Sequence, residues 1–356
     1  MAHKLVLGID EAGYGPSMGP FVVVATAWRV PEELAIEQLH ELLSPEIQPL
    51  PLSSRTQARS RAHIPLGDSK KIYSGKHAWE SLCEGARFLL QSTNISQKDV
   101  SGNQDQKDGE SEGASGIRDL GAELYPKDWT RVKNVSWLNN LQLGFSEELG
   151  FTDSLPTVAH EGREAARSKM HSLGIQLVAT RGRLIDEIEW NRLIEYFQNK
   201  SSVLSELTLG LAREIASDTA IACESIEIYC DKHGGRNRYQ ALLMHAFEDQ
   251  WFDTHAETSK LSRYSTHWAD HPLMIQFRVE GDSLVPSAAA SVLAKWTREL
   301  AMRALNAFWG DQAIKNGIAI PKPTAGYYVD AMRFAADIAE LAERHGPQKS
   351  QWWRVK

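Results

Sequence analysis

The fold of this chain is decided by the stretch Leu5-Val6-Leu7-Gly8-Ile9-Asp10-Glu11-Ala12-Gly13-Tyr14-Gly15-Pro16. Its nearly uninterrupted apolar start predicts a strand buried on both faces, and that strand ends in two adjacent carboxylates and a glycine turn. Because neighbouring ionised carboxylates repel each other, the fold has to supply a cation, usually a hard divalent metal with oxygen ligands. Residues 20–25 predict a second strand, and the short connection between the two predicts a hairpin.

Composition excludes several classes of protein. The 356 residues suffice for one large or two ordinary domains, and the hydrophobic fraction of 42% is that of a globular protein. No apolar run is long enough to cross a membrane and the N-terminus lacks a signal-peptide pattern, so we expect a soluble, cytoplasmic protein. The cysteines show no metal-ligand spacing, which predicts free thiols. The net charge of −7 argues against a generally basic nucleic-acid binder, although it allows a local basic patch.

Predicted strands and helices alternate through the rest of the chain. Strands are predicted at 174–180, 226–230 and 273–279, and helices at 77–90, within 186–216, at 239–252, at 287–300 and after Tyr327. Asp231 follows the strand at 226–230, and Asp282 follows the strand at 273–279. If these strands are neighbours of the first, their acids meet Asp10 and Glu11. Four such acids can hold two Mg2+ or Mn2+ ions about 4 Å apart, an arrangement suited to phosphodiester cleavage.

Residues 92–116 break the pattern of alternating strands and helices. The stretch 101–111 contains no apolar side chain, so it cannot bury enough surface to offset its ordering entropy and is predicted to be a disordered loop. From about residue 120 to 169 the chain regains tryptophan, leucine and phenylalanine. We expect that segment to pack on the body of the protein as an insertion.

Basic and small polar residues accompany the acids. Ser69 and Lys70, if they lie beside a metal site, are candidates to hold a phosphate, and a solvated connection is the alternative. Ser291, Lys295 and Arg298 share one face of a predicted helix, which meets either a phosphate backbone or water. A basic turn, residues 232–236, is expected to touch substrate, with a proton relay at His233 as the alternative. The tail tryptophans at 352 and 353 are expected to pack back on the body.

At these residues the sequence resembles the type 2 ribonucleases H. The resemblance is carried, in the same order along the chain, by Gly8-Ile9-Asp10-Glu11-Ala12-Gly13-Tyr14-Gly15-Pro16, Gly67-Asp68-Ser69-Lys70-Lys71, the strand ending in Asp231, Gly281-Asp282-Ser283, Ala289-Ala290-Ser291-Val292-Leu293-Ala294-Lys295-Trp296-Thr297-Arg298 and Gly326-Tyr327. It covers most of residues 4–90 and 174–345. It implies an α/β, ribonuclease H-like fold, with a mixed central sheet and flanking helices, and endonucleolytic hydrolysis of RNA in RNA/DNA duplexes.

The resemblance also implies roles for individual residues. The implied metal ligands, for two Mg2+ or Mn2+ ions, are Asp10, Glu11, Asp231 and Asp282. Gly13, Tyr14 and Gly15 would lie against the ribose 2′-hydroxyl, which distinguishes RNA from DNA. Tyr327 would stack on the sugar of the adjoining nucleotide. The residues expected to hold the duplex are Ser69, Lys70, Ser291, Lys295 and Arg298.

In the implied mechanism, one metal orients the attacking water and the other stabilises the leaving 3′ oxygen, which gives 5′-phosphate and 3′-hydroxyl ends. The expected partner is an RNA/DNA hybrid or duplex DNA that contains ribonucleotides, and we expect a monomer. We divide the chain into a first part of the catalytic domain at 1–91, an insertion at 92–170 that is disordered around 101–116, a second part at 171–310 and a C-terminal helical region at 311–356.

The chain departs from the family pattern at several positions. The family's turn is typically Gly-Arg-Gly, whereas Tyr14 occupies its centre here, and the lost guanidinium is expected to weaken phosphate binding or alter the preference for an isolated ribonucleotide. After Gly326-Tyr327 the family usually has a threonine and then a histidine, whereas this chain reads Tyr328-Val329-Asp330-Ala331-Met332, and the interval between Asp231 and Asp282 is long. Two alternatives therefore stay open: a nuclease of this fold acting on DNA or a branched junction, and a non-catalytic hybrid-binding protein.

Overall fold

The computed structural model describes residues 2–52, 63–101, 119–138, 141, 145, 160–219, 223–248 and 250–355. The loop predicted to be disordered at 101–116 lies outside these ranges, apart from its first residue. Within these ranges, no helix combines the length and the apolar character needed to span a membrane. Cys83, Cys223 and Cys230 are free thiols, as predicted.

A mixed sheet forms the centre of the described part of the chain. Its seven strands are β1 (His3–Ala12), β2 (Phe21–Pro31), β5 (Gln176–Ile185), β6 (Ser225–Asp231), β7 (Asp253–Glu257), β8 (Leu261–Trp268) and β9 (His271–Arg278), and the short strands β3 (Ile47–Gln48) and β4 (Ile64–Pro65) pair separately. The strand order is β5-β2-β1-β6-β9-β8-β7. β1 pairs with β6 and β6 with β9 in parallel, whereas the other neighbours, including the predicted β1–β2 hairpin, are antiparallel.

The described helices are α1 (Leu39–Leu43), α2 (Ser69–Ile72), α3 (Ala78–Ser101), α4 (Leu120–Leu124), α5 (Trp129–Val132), α6 (His160–Ser172), α7 (Glu187–Phe197), α8 (Lys200–Thr219), α9 (Gln240–Ala246), α10 (Val285–Lys315), α11 (Tyr328–Asp337) and α12 (Ala339–His345). Short 3-10 helices lie at Ile36–Gln38, Ser136–Leu138, Gly281–Ser283 and Lys349–Gln351. The predicted fold class, a mixed central sheet with flanking helices, is confirmed.

β1 lies inside the sheet and is buried on both faces, as its apolar run predicts. Leu5, Leu7 and Ile9 belong to one hydrophobic core, which α8 completes on one face of the sheet. Val6 belongs to a second core on the other face, together with residues of α10. At the start of the strand, Lys4 Nζ donates to Glu227 Oε1 at 3.1 Å, a contact between residues 223 positions apart in the chain.

The start of α10 lies directly on β1. A Cβ atom added at Gly8 would lie 2.1 Å from the backbone carbonyl carbon of Pro286, so only glycine allows the helix to approach this closely. The Thr26 hydroxyl on β2 donates to the Pro286 carbonyl oxygen at 2.8 Å. The first turn of the helix therefore has a fixed position relative to the strand that carries Asp10.

The described part of the insertion packs on the body, as expected. The Tyr125 hydroxyl donates to the Thr297 hydroxyl of α10 at 2.7 Å. The ring of Phe145 lies 5.1 Å from the rings of both Trp129 and Trp296, centroid to centroid. α3 continues past the boundary expected at residue 91, and the proposed division into domains stays a prediction.

The chain between Asp231 and Asp282 differs from the prediction. The helix predicted at 239–252 is the shorter α9, and the unpredicted hairpin β7–β8 follows it and widens the sheet. β7 is an exposed edge strand, and β8 buries Ser262 and Tyr264 through hydrogen bonds instead of through apolar alternation. The hydrophobic pattern therefore gave no signal for either strand. This hairpin accounts for much of the long interval between the two acids.

Candidate active site

Four acids lie at one edge of the central sheet. Asp10 and Glu11 are near the end of β1, Asp231 ends β6, and Asp282 lies in the 3-10 helix just beyond β9. Because β1, β6 and β9 are parallel neighbours, their carboxyl ends meet at the same edge. The structure therefore brings together acids that are separated by most of the chain.

The electrostatics show that these acids form one cluster. Burial raises the pKa of Asp10 to about 7, and the charges of Asp231 and Asp282 raise it too. Burial raises the pKa of Glu11 to about 8, with further contributions from Asp10 and Asp231. The pKa of Asp282 rises to about 6, chiefly through burial and then through nearby acids. Each carboxylate thus resists ionisation because of its neighbours as well as its surroundings.

Hydrogen-bond donors hold the acids individually. The Glu11 N–H donates to Asp10 Oδ1 at 2.8 Å, and a hydrogen bond with the Ser291 side chain lowers the pKa of Asp10. The Gly281 N–H donates to Asp231 Oδ1 at 2.8 Å. The orientation of these two carboxylates is therefore set by β1, by α10 and by the turn before α10.

Lys70 is a cation whose charge acts on several acids of the cluster. It is exposed near the start of α2, and its charge lowers the pKa of Glu11, Asp231 and Asp282. Its neighbour Asp68 caps α2 by accepting from the Lys70 N–H at 2.9 Å.

Sequence reasoning missed two acids of this neighbourhood. Asp68 raises the pKa of Asp231 and Asp282, and Glu280 raises that of Asp231. Asp68 lies inside the motif Gly67-Asp68-Ser69-Lys70-Lys71, and Glu280 directly precedes the motif Gly281-Asp282-Ser283. An extra acid beside a predicted acidic site was the signal that could have found them.

The donor set of the cluster fits a hard divalent cation, although the side chains do not form a ready-made cage. Among the described residues, no three or more His, Cys, Asp or Glu side chains are grouped closely enough to hold a metal ion. All the donors are carboxylate oxygens, which Mg2+ and Mn2+ prefer, and a cation would relieve the repulsion that raises the pKa values. The residues that would hold it are Asp10, Glu11, Asp231 and Asp282.

The glycine turn lies beside the acids. Gly13 has a φ of +86°, and a Cβ atom there would lie 2.5 Å from the Pro20 carbonyl oxygen, so the position requires glycine. Tyr14 is half-buried with its ring 6.0 Å from that of Phe21. Burial raises the pKa of Tyr14, and the charge of Glu11 raises it further, which places its hydroxyl within the field of the cluster.

The motif Gly326-Tyr327 reaches the same loop from the far end of the chain. The Gly326 carbonyl accepts from the Ser17 N–H at 2.8 Å and from the Met18 N–H at 3.2 Å. Tyr327 is 56% exposed beside this contact. The structure therefore places an accessible tyrosine ring beside the loop that follows the glycine turn, and its stacking on a sugar stays a prediction.

The polar face of α10 differs from the expectation of a phosphate-binding surface. Arg298 is only 2% exposed, and its guanidinium donates to the Ala325 carbonyl at 2.9 Å. Ser291 is also buried, and its side chain forms a hydrogen bond with Asp10. The amino group of Lys295 donates to Glu299 Oε1 at 2.6 Å. Arg298 is buried because that helix face packs under the glycine turn and the loop at 325–327, and its phosphate contact stays a prediction. Ser69 is likewise buried, and Lys70 is exposed.

The basic turn after Asp231 is mostly bonded to the protein itself. Lys232 Nζ donates to the carbonyl oxygen of Thr258 at 2.6 Å and to the Ser262 hydroxyl at 3.0 Å. His233 is buried with Nδ1 2.9 Å from the Ser205 hydroxyl, and burial lowers its pKa to about 3. The proton-relay alternative is therefore not favoured, because the ring stays neutral near pH 7.

Comparison with known proteins gives one kind of match. Neither a protein-family model nor a curated protein matches the chain. Solved structures that match it include type 2 ribonucleases H. Bst-RNase HIII in complex with Mn2+ matches with a TM-score of 0.40 and 14% identity, over 98% of this chain and 65% of that one.

Two further matches are a ribonuclease H2 and an RNase HII. The ribonuclease H2 from Pyrococcus horikoshii OT3 matches with a TM-score of 0.38 and 14% identity, over 98% of this chain and 92% of the other. RNase HII of Archaeoglobus fulgidus, solved in complex with PCNA, matches with a TM-score of 0.39 and 12% identity, over 99% and 94%. At these identities and TM-scores, we base the functional inference on the side chains of the site.

Proposed function

We propose that the chain is a metal-dependent endonuclease of the ribonuclease H type. Its substrate would be the RNA strand of an RNA/DNA hybrid or a ribonucleotide embedded in duplex DNA, and its products would carry 5′-phosphate and 3′-hydroxyl ends. The observation that supports this proposal is the meeting of Asp10, Glu11, Asp231 and Asp282 at the edge formed by three parallel strands.

The chain's own residues prepare this site for a phosphodiester. A bound Mg2+ or Mn2+ ion would supply Lewis-acid activation of water and of the leaving oxygen. Ser291 and the Glu11 N–H hold the Asp10 carboxylate, and the Gly281 N–H holds that of Asp231. Lys70 gives the acidic edge an exposed positive charge that attracts a phosphate.

The residues beside the acids fit a ribonucleotide. The glycine turn offers backbone groups at short range, because Gly13 and Gly15 carry no side chain to block approach. The exposed ring of Tyr327 provides a surface on which a sugar can stack. Contact with a 2′-hydroxyl is what would select RNA over DNA at this turn.

Cleavage by an Asp10→Asn variant tests the proposal. We expect the wild-type protein to cut a hybrid or a duplex with one embedded ribonucleotide when Mg2+ or Mn2+ is present, and the variant to cut neither, because it loses a ligand. Asp311→Asn, at an exposed position late in α10, is the matched control and should retain wild-type rates. Undiminished cutting by Asp10→Asn would refute the assignment.

Thermal melting tests metal binding without activity. We expect Mn2+ to raise the Tm of the wild-type protein and not that of Asp10→Asn, because an ion that binds only the folded state stabilises it by mass action. In metal-free buffer near neutral pH, Asp10→Asn should melt above the wild type, since one of several repelling charges is gone. Absence of any Mn2+ shift in the wild type would instead favour the non-catalytic hybrid-binding protein.

A second candidate is a nuclease of this fold that acts on DNA or on a branched junction. Tyr14 favours it, because a half-buried aromatic ring stands in the turn where the family typically has arginine. An all-DNA duplex and a four-way junction, run beside the RNA-containing duplexes, distinguish the two functions. Asp10-dependent cutting of these DNA substrates alone would support the second.

A further inference from the structure

The last residues of the chain run back across the protein to the glycine turn. We call residues 349–355 the C-terminal strap. Asn191 on α7 anchors it: its side-chain amide donates to the carbonyls of Ser350 at 3.1 Å and Trp353 at 2.9 Å, and its Oδ1 accepts from the Val355 N–H at 2.8 Å. These bonds fix the strap beside the loop that follows β1.

Aromatic contacts reinforce the strap. Trp352 is buried, as predicted for the tail, with its ring centroid 6.0 Å from that of Trp309. The indole N–H of Trp137 donates to the Gln351 carbonyl at 3.1 Å. The strap is therefore held by α7, by α10 and by the described part of the insertion.

Arg354 is the residue by which the strap reaches the turn. Its side chain is buried, with the guanidinium carbon 4.1 Å from the centroid of a Trp190 ring. Nη1 donates to the carbonyl of Gly13 at 2.6 Å and to that of Gly19 at 3.3 Å, and Nη2 donates to the carbonyl of Tyr14 at 3.2 Å. One guanidinium thus holds three backbone carbonyls of a single loop.

A buried acid binds the same loop through one of its backbone N–H groups. Glu187, the first residue of α7, is fully buried, and its Oε1 accepts from the Gly19 N–H at 2.7 Å. Burial lowers the pKa of Arg354 to about 9, and the charge of Glu187 opposes that shift. The loop is therefore held by a guanidinium group at its carbonyls and by a carboxyl group at one of its N–H groups.

These bonds determine which way the turn's N–H groups point. In a trans peptide the carbonyl and the N–H of the same unit point in opposite directions. The carbonyls of Gly13 and Tyr14 point to the buried Arg354, so the N–H groups of Tyr14 and Gly15 point away from it, towards the exposed side of the turn.

We propose that Arg354 is a positioning residue of the active site, which fixes the glycine turn so that the N–H groups of Tyr14 and Gly15 are presented to an oxygen acceptor of the substrate's sugar-phosphate backbone. The identity of that acceptor rests on the proposed nuclease function, whereas the fixing of the turn does not. The centre of the turn is Tyr14 instead of a cationic residue, and the cation that contacts the turn is Arg354. Arg354 orders the backbone of the turn from its buried side and does not touch the substrate.

Hydrogen exchange of the full-length protein tests the fixing of the turn. We expect Arg354→Ala to speed exchange of the amides of residues 13–19 by about tenfold or more, because the loop opens more often when its carbonyls lose their donor. Arg354→Lys, which keeps the charge but not the forked geometry, should lie between. Lys349→Ala is the matched control: it removes another cation of the strap, one that lies over Trp353, and should leave these amides unchanged.

Kinetics separate positioning from general destabilisation. On an RNA-containing duplex, Arg354→Ala should lower kcat by roughly 10- to 100-fold with much less change in KM, as a small misplacement of substrate-positioning groups does. Added guanidinium ions should restore part of the rate. Arg354→Lys and Asn191→Ala, which loosens the strap without removing the buried charge, extend the test if Arg354→Ala does not fold.

The outcomes distinguish this inference from the proposed function. The inference is overturned if Arg354→Lys and Asn191→Ala both show wild-type amide exchange and wild-type cleavage kinetics, and Arg354→Ala either does not fold or also behaves like the wild type. A wild-type protein that cuts no duplex would defeat the nuclease proposal, while the exchange experiment would still decide whether Arg354 fixes the turn.

Discussion

Each acid of the cluster lowers the stability of the folded chain near neutral pH. Burial raises the pKa values of Asp10 and Glu11 to about 7 and about 8, so ionising either one costs more in the folded state than in the unfolded state. Below the unfolded-state values, near pH 4, both states are protonated and this cost disappears. Residues that reduce stability in this way are characteristic of sites that bind cations or perform catalysis.

His63 gives a pH dependence that can be tested away from the site. It is 5% exposed with Nε2 2.8 Å from the Leu50 carbonyl, and burial lowers its pKa. The unfolded chain therefore takes up a proton near pH 6.5 that the folded chain does not, so the contribution of His63 to stability becomes less favourable as the pH drops below that value. We expect the change in Tm from about pH 8 to about pH 5.5 to be more favourable in His63→Gln than in the wild type.

The control for His63 is an exposed histidine. His245→Gln, whose side chain is 75% exposed in the wild type, should show the same change in Tm on acidification as the wild type. If Tm changes with pH in His63→Gln just as it does in the wild type and in His245→Gln, the assigned pH dependence of His63 is contradicted.

At the residue level, the position of the acids could be predicted from the sequence, whereas the burial of Arg298 could not. Asp10 and Asp231 stand out because acid at the end of an apolar strand has few structural explanations. Arg298 does not, because helical spacing shows that it shares a face with Ser291 but not that the glycine turn covers this face. Burial of a long charged side chain is decided by residues far away in the sequence.

At the level of elements, Gly8 determines how α10 meets the sheet. Gly8→Ala would place a Cβ atom 2.1 Å from the Pro286 carbonyl carbon and 2.2 Å from the Ser287 nitrogen, so the helix has to move. We expect a loss of at least about 3 kcal/mol in the free energy of unfolding, measured by denaturant titration. Because α10 also carries Ser291, the surviving folded protein should have weaker cleavage activity.

Gly210→Ala is the matched control for Gly8. Gly210 lies within α8, and a Cβ atom there would meet no atom of the described residues within 4 Å. Alanine is the better helix former, so this variant should gain up to about 1 kcal/mol. Equal effects of the two substitutions would show that α10 is not seated on β1 as described.

Elements with clear apolar periodicity were predictable and those held by polar contacts were not. The paired strands β1 and β2 and the helices α7, α8 and α10 follow their hydrophobic patterns. β7 and β8 were not predicted, because polar contacts hold them in place. One example is the hydrogen bond from the Tyr264 hydroxyl to Glu257 Oε1 at 2.6 Å. A polar strand at the edge of a sheet resembles a loop in sequence.

At the level of the whole molecule, binding of nucleic acid has to overcome a net charge of −7. Binding should therefore depend on a few local cations, of which Lys70 is exposed beside the acids. In the absence of divalent metal, we expect the logarithm of the association constant for an RNA/DNA duplex to fall linearly with the logarithm of the salt concentration. Lys70→Gln should reduce that slope by about 0.9, the value for one phosphate contact.

Lys315→Gln is the control for the salt dependence. Lys315 ends α10, a helix of 31 residues, so it lies roughly 35 Å along the helix from Ser291. It should leave the slope unchanged. A reduction of the slope by Lys315→Gln and none by Lys70→Gln would place the nucleic acid elsewhere on the protein.

The contact from Arg354 to Gly13 spans 341 residues, and nothing in the local pattern of either segment predicts it. The motifs locate the parts of the site, whereas the support behind the glycine turn emerges only from the folded chain. For this reason the tail could be predicted to pack on the body, but not to reach the site.

The pairing of β1 with β6, marked by the bond from Lys4 to Glu227, joins segments 223 residues apart. Loop closure over such a distance is slow, so the central pair forms late in a search dominated by non-local contacts. Until then the β1–β2 hairpin exposes an unpaired apolar edge to other chains. During refolding from denaturant, completion of the sheet should therefore compete with aggregation. The yield of refolded protein should rise as the protein is diluted.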